Sequence, residues 1–88
     1  MLFMVIEHFK DVPAIGERFA RKGRLLPDSV AYHASWVEPG GARCFQVMEA
    51  ESAEPIEVWA SRWQDLCDFE IVPVLTSQQF WGKHGNRS

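Results

Sequence analysis

Cysteine is scarce in this chain: Cys44 and Cys67 are the only two among 88 residues, with no C-x-x-C spacing. Two cysteines do not make the disulfide framework of a small secreted domain, and their redox state stays open at the level of sequence. The three histidines show no H-x-x-x-H pattern, and His8 and His33 fall in separate strand-like runs. No zinc-type ligand set is present, and neither a metal nor a cofactor is expected. An excess of basic residues is missing as well. The formal charge is −3, so no general attraction draws the chain to nucleic acid or anionic lipid. Long hydrophobic runs are also lacking. The opening run Met1–Ile6 spans six residues, against about 20 for a membrane helix. It has no basic segment before it and no small-residue cleavage site after it. Neither a signal peptide nor a membrane span is expected, and the expected location is the cytoplasm. No glycine-rich phosphate loop occurs, since Pro39-Gly40-Gly41 is accounted for by a turn. A nucleophile elbow is absent too. Ser35 and His33 stand at i and i+2 of a strand, which points them the same way without building a triad.

What the chain does have is the composition of an ordinary globular domain, with 47% hydrophobic and 24% charged residues. Its length argues for one domain that buries roughly 60–65% of its unfolded surface. Four tryptophans are much aromatic surface for 88 residues, and an oligomer interface is one place for it.

The organising stretch is Val30–Met48, two strand-forming runs around Glu38–Gly41. Strict alternation would put Val30, Tyr32, Ala34 and Trp36 on one face and Ala31, His33, Ser35 and Val37 on the other. With Glu38–Gly41 as the loop, Trp36 is expected opposite Arg43, Ala34 opposite Phe45 and Tyr32 opposite Val47. His33 is then opposite Gln46 and Ser35 opposite Cys44. In this register His33, Ser35, Cys44, Gln46 and Met48 share a face, an unusual polar set if that face is buried.

Met1–Phe9 reads as a central strand because it is apolar on both faces. Pro13–Lys22 reads as a helix with Asp11 as N-cap, Gly23 as C-cap and a stripe of Val12, Ile15 and Phe19. Arg18, Arg21, Lys22 and Arg24 gather near its C-terminal end. They are expected to be solvated helix charge, with contact to an acidic partner as the alternative. A second helix is expected after Ser52 or Glu54, with Ile56, Trp59, Trp63 and Leu66 on one face. Asp68–Leu75 is the last strand, placed at an edge by Pro73. Thr76–Trp81 is a short helical turn and Gly82–Ser88 a frayed tail. The division is thus a domain over 1–76 and a short C-terminal extension over 77–88.

This order is β-α-β-β-α-β, the ferredoxin-like pattern: a four-stranded antiparallel sheet with two helices on one face. The other face would be left bare and apolar, so a face-to-face homodimer is expected.

MLFMVIEHFK, the YHASWV…RCFQVMEA hairpin and the Trp59–Val74 segment WxxRWxDLxDFEIVPV resemble a family of small bacterial proteins known only as a domain of unknown function. The resemblance covers roughly residues 1–76. That family is similar in pattern to the dimeric α+β barrel superfamily, which includes cofactor-independent monooxygenases, muconolactone-type isomerases and haem-degrading enzymes. The resemblance implies a dimer and a cleft between sheet and helices, and carries over no reaction.

Candidate site residues follow from chemistry. His33 is the leading acid–base candidate, because imidazole titrates near neutrality. The alternative is a hydrogen-bonded interface residue. His8, at the end of its strand, is expected to be exposed, and His84 lies in the tail. Glu7 sits in an otherwise apolar strand and is the second catalytic candidate. A buried carboxylate must be paired or have a raised pKa, and Arg43 is a candidate partner. Trp36, Trp59, Trp63, Arg43 and Gln46 are candidate ligand-binding residues, with core packing the alternative for the tryptophans. Three functions remain: a homodimer binding a small apolar or aromatic molecule, a cofactor-independent monooxygenase-like or isomerase-like enzyme, or a structural or regulatory dimer without ligand.

Overall fold

Leu2–Phe9 forms β1, and its burial alternates as an apolar strand between two layers should: Phe3, Val5 and Glu7 are buried, while Leu2, Met4, Ile6 and His8 are partly covered. The computed structural model describes residues 1–83. His84 and the rest of the expected frayed tail lie outside the described residues. Gly82 and Lys83 belong to the last helix instead.

The elements after β1 are α1 (Val12–Lys22), β2 (Ala31–Val37), β3 (Arg43–Glu49), α2 (Ala53–Ser61), β4 (Cys67–Val74) and α3 (Ser77–Lys83). The strands form one sheet in the order β2-β3-β1-β4, and every pair is antiparallel. The β-α-β-β-α-β order with this sheet is the ferredoxin-like α+β arrangement. β1 is central, and β4, which carries Pro73, is an edge strand.

Local signals set the first helix. The Asp11 carboxylate accepts a hydrogen bond from the Ala14 amide at 3.1 Å, and Pro13 occupies the first turn. Gly23 ends the helix at φ 67°, a backbone angle suited to glycine. The second helix is shorter than its apolar spacing suggests. α2 ends at Ser61, so Trp63 and Leu66 lie in the turns that follow. Those turns close with three-residue steps, Trp63 N–H to Ala60 O and Leu66 N–H to Trp63 O, so Trp63 stays on the side that Trp59 occupies.

One core holds the layers together. Phe3, Val5 and Met48 from one sheet face pack with Ile56, Trp59 and Trp63, and Ile15, Phe69 and Ile71 pack against that cluster. Phe69 meets the Trp59 ring edge-on at 5.3 Å. The indole N–H groups of Trp59 and Trp63 both donate to the Arg24 carbonyl, at 2.8 and 2.9 Å. Arg62 donates to the Leu25 carbonyl at 2.7 Å. These three bonds pin the connector after α1, where Leu25 holds φ 61°.

The hairpin differs from the expected one in two ways. First, the pairing is displaced: Trp36 lies opposite Phe45, Ser35 opposite Gln46 and Val37 opposite Cys44. The ladder continues to a Glu38 N–H to Arg43 O bond of 2.9 Å, so the loop is residues 39–42. A two-residue displacement keeps the faces but changes every partner. Second, the register shifts between Tyr32 and Ala34. His33 is the extra residue of this bulge, and a bulge reverses the facing of what precedes it. Tyr32 therefore shares the helix-covered face with Ser35, and their hydroxyls lie 2.7 Å apart. His33 drops out of the polar set expected for that face and lies 2.9 Å from the Glu49 carboxylate.

Candidate functional site

β1 and β3 bring Glu7, Cys44 and Gln46 together on the helix-covered face, because Glu7 pairs with Cys44 and Val5 with Gln46. Ser35 adds to the same face from β2. Above them α1 buries none of its side chains. The space between this helix and the sheet is a cavity of about 360 Å³. Its floor is Glu7, Cys44, Gln46 and Ser35. Its walls are apolar, chiefly Phe9, Val12, Ile15, Phe19, Val37 and Trp63, with Arg24 at the side. Gly16 lies in the helix face over the cavity, and a Cβ built there meets nothing within 4 Å. A more open hollow of about 430 Å³ beside α3 contains no titratable side chain.

Glu7 is 6% exposed. One carboxylate oxygen accepts a long 3.7 Å bond from the Cys67 thiol, and the other, Oε2, has no partner among the described residues. Burial pushes this carboxyl up to about 7, against the opposing pull of the Cys67 and Cys44 thiols and the Arg24 charge. Burial and the neighbouring Glu7 charge push both thiols up to about 12. They remain protonated, unreactive donors at neutral pH, and neither is in a disulfide. A carboxyl that titrates near 7 inside an apolar cavity can both take and give a proton at physiological pH.

The residues singled out on chemical grounds divide between this cavity and the rest of the fold. Glu7, Gln46 and Trp63 line the cavity. Trp59 is 2% exposed in the core behind it. Trp36 is 58% exposed on the uncovered sheet face, beside Phe45. Arg43 is not the partner of Glu7. It pairs with His8 across β1 and β3, and its guanidinium makes a two-pronged bond to Glu38 at 2.9 and 2.8 Å. Strand alternation puts Arg43 on the face opposite Glu7. His33 is on the edge strand β2, bonded to Glu49 of the neighbouring β3, and His8 lies 2.6 Å from Glu70, each outside the cavity lining.

Of the basic cluster, Arg18 is tied to the turn before β4. It makes two bonds to Asp65, at 2.9 and 2.7 Å, and one to the Arg62 carbonyl at 3.1 Å. Its charge also lies 5.4 Å from the Trp63 ring centroid. Arg24 stacks over Tyr32 at 3.7 Å, which fixes it beside the cavity. The sequence signal for this part of the site was Gly16 inside the Val12-Ile15-Phe19 stripe. A residue without a side chain at the centre of an apolar helix face leaves space beneath it.

Among the described residues no group of three or more His, Cys, Asp or Glu side chains is arranged to hold a metal, and no helix is long and apolar enough to cross a membrane. No curated protein and no solved structure matches the chain. The profile of one family, described as a domain of unknown function (DUF3303), matches residues 1–86. With that match spanning nearly its whole length, the chain belongs to the DUF3303 family.

Proposed function

We propose that this protein is a homodimer that takes a small, largely apolar or aromatic molecule into the cavity between α1 and the sheet. The observation that carries the binding reading is the cavity itself. About 360 Å³ of space with apolar walls and a few converging polar groups is the usual composition of a small-molecule site. A domain with no binding task gains stability by closing such a space.

The dimer reading rests on the other sheet face. Met4, Ile6, Phe45 and Val47 form its centre by register, and neither helix of the α/β layer covers it. Trp36 at 58% and Val72 at 41% exposure extend the same apolar surface. A second copy laid face to face would cover it with a closed two-fold contact.

Gly16→Leu tests the cavity. Gly16 lines the cavity and a Cβ there meets nothing within 4 Å, so a leucine has room to occupy its mouth, and leucine is the better helix former by about 1 kcal/mol. The variant is expected to fold at least as stably as the parent and to lose binding of 4-ethylphenol, read from the Trp63 indole N–H resonance in two-dimensional NMR. Unchanged binding in a folded Gly16→Leu protein would rule out this cavity as the site. Sedimentation of the parent protein is expected to give twice the 10.1 kDa chain mass, and Val47→Asp, which charges the centre of the bare face, to give the chain mass. A parent that sediments as a single chain would sink the dimer.

A further inference from the structure

Among the described residues, Arg24 is the only cationic side chain that lines the cavity. Its guanidinium makes no ion pair and no hydrogen bond within them. By contrast, Lys10, Arg18, Arg21 and Arg43 each pair with a carboxylate, and Arg62 donates to a carbonyl. Arg24 is half-buried. Aromatic rings hold it in place: it lies over Tyr32 at 3.7 Å and 5.1 Å from the ring of Phe19, a cavity wall. Stacking uses the face of a guanidinium and leaves the N–H donors in its plane free.

The other polar groups around the cavity are engaged or covered. The Ser35 hydroxyl is bonded to Tyr32, the Cys44 thiol to Glu7, and Glu7 and Gln46 are each 6% exposed. Arg24 is the polar group left to meet an occupant. Its charge is felt across the floor, because burial pushes the Glu7 and Cys44 groups up and Arg24 opposes that push at both.

We infer that the molecule taken into the cavity is a monocarboxylate, an aromatic or aliphatic body whose carboxylate is bound by the Arg24 guanidinium. This rests on the cavity being a binding site, and deepens that reading by naming the polar end of the ligand. Phe9, Val12, Ile15, Phe19 and Val37 would cover the apolar body. One guanidinium matches one carboxylate through two parallel bonds. A phosphate monoester carries about two negative charges near neutrality, and the second would have no cation beside this cavity. Neutral molecules leave the arginine unpaired.

The test compares 4-ethylbenzoate with 4-ethylbenzamide, which has nearly the same shape without the charge. Affinities are measured by calorimetry and by the Trp63 indole resonance at pH 6. There the benzoate is ionised, while Glu7, pushed up to about 7 by burial, is mostly protonated. The benzoate is expected to bind about tenfold or more tightly than the amide. In Arg24→Met the ratio is expected to fall towards one. That variant keeps an unbranched side chain beside Tyr32 and the backbone carbonyl to which Trp59 and Trp63 donate. Arg24→Gln takes its place if it fails to fold. Arg24→Lys, which keeps the charge without the fork, is expected to restore part of the preference. Equal binding of benzoate and amide by the parent would overturn the carboxylate assignment and leave the cavity reading standing. A preference that persists undiminished in Arg24→Met would overturn the role of Arg24. Binding of neither compound, nor of 4-ethylphenol, would remove both readings.

Discussion

Glu7→Gln is expected to make the protein more stable at pH 8 and to leave it nearly unchanged at pH 4.5. The sign follows from where the proton sits. In the folded chain the Glu7 carboxyl is pushed up to about 7 by burial, against an ordinary value of 4.5. Between those values the folded state holds a proton that the unfolded state has released, so stability falls as pH rises. Below 4.5 both states are protonated and nothing is lost. Above about 7 both are ionised and the loss is complete. A shift of that size corresponds to about 3 kcal/mol. Glutamine keeps the shape and carries no charge, so the variant lacks this slope. For a chain of this length the gain at pH 8 corresponds to a rise in Tm of roughly 10 °C or more. Thermal unfolding of parent and variant from pH 4.5 to pH 8, at one protein concentration, gives the difference curve. Contributions from all other groups are common to both proteins and cancel. Parallel curves across that range would show that Glu7 ionises in the fold as it does in water.

The second large effect is at Trp59. Its ring is 2% exposed, packs edge-on against Phe69 at 5.3 Å, and its N–H holds the Arg24 carbonyl at 2.8 Å. Trp59→Ala removes the centre of the core and one of the bonds that pin the connector. Large-to-small changes of this kind cost about 3–5 kcal/mol. A chain of this size has a total stability on the order of 5–13 kcal/mol, so the variant is expected to lose a large fraction of it and to unfold at a much lower urea concentration than the parent. Trp59→Phe keeps most of the packing and loses the hydrogen bond, at about 1 kcal/mol. Trp63 still donates to the same carbonyl, which limits that loss. Urea unfolding separates the outcomes. A Trp59→Ala protein as stable as Trp59→Phe would mean that Phe69 and its neighbours collapse into the space.

These two residues also show how far the sequence could be read. Trp59 was legible as core, because Ile56 and Trp59 recur at helical spacing and α2 has no competing apolar face. Glu7 was legible only as an anomaly, a carboxylate inside an apolar strand. Its expected partner, Arg43, sits on the opposite face, since Glu7 lies opposite Cys44 and Arg43 is the next residue of β3; it bonds Glu38 instead. The polar set Ser35, Cys44, Gln46 and Met48 was correctly grouped by alternation. His33 was misplaced with it, because one extra residue in β2 cannot be seen in a pattern whose period is two.

What depends on neighbours along the chain can be read from the residues alone. The strand alternation of β1, the Asp11 cap, the Gly23 stop and the edge position of Pro73 are local chemistry, and from them the β-α-β-β-α-β order follows. The hairpin register, the bulge at His33 and the sheet face that carries the cavity follow from packing between elements distant along the chain. So does the protonation of Glu7. That shift arises from desolvation on burial, which exists only once the sheet and the layer over it are assembled.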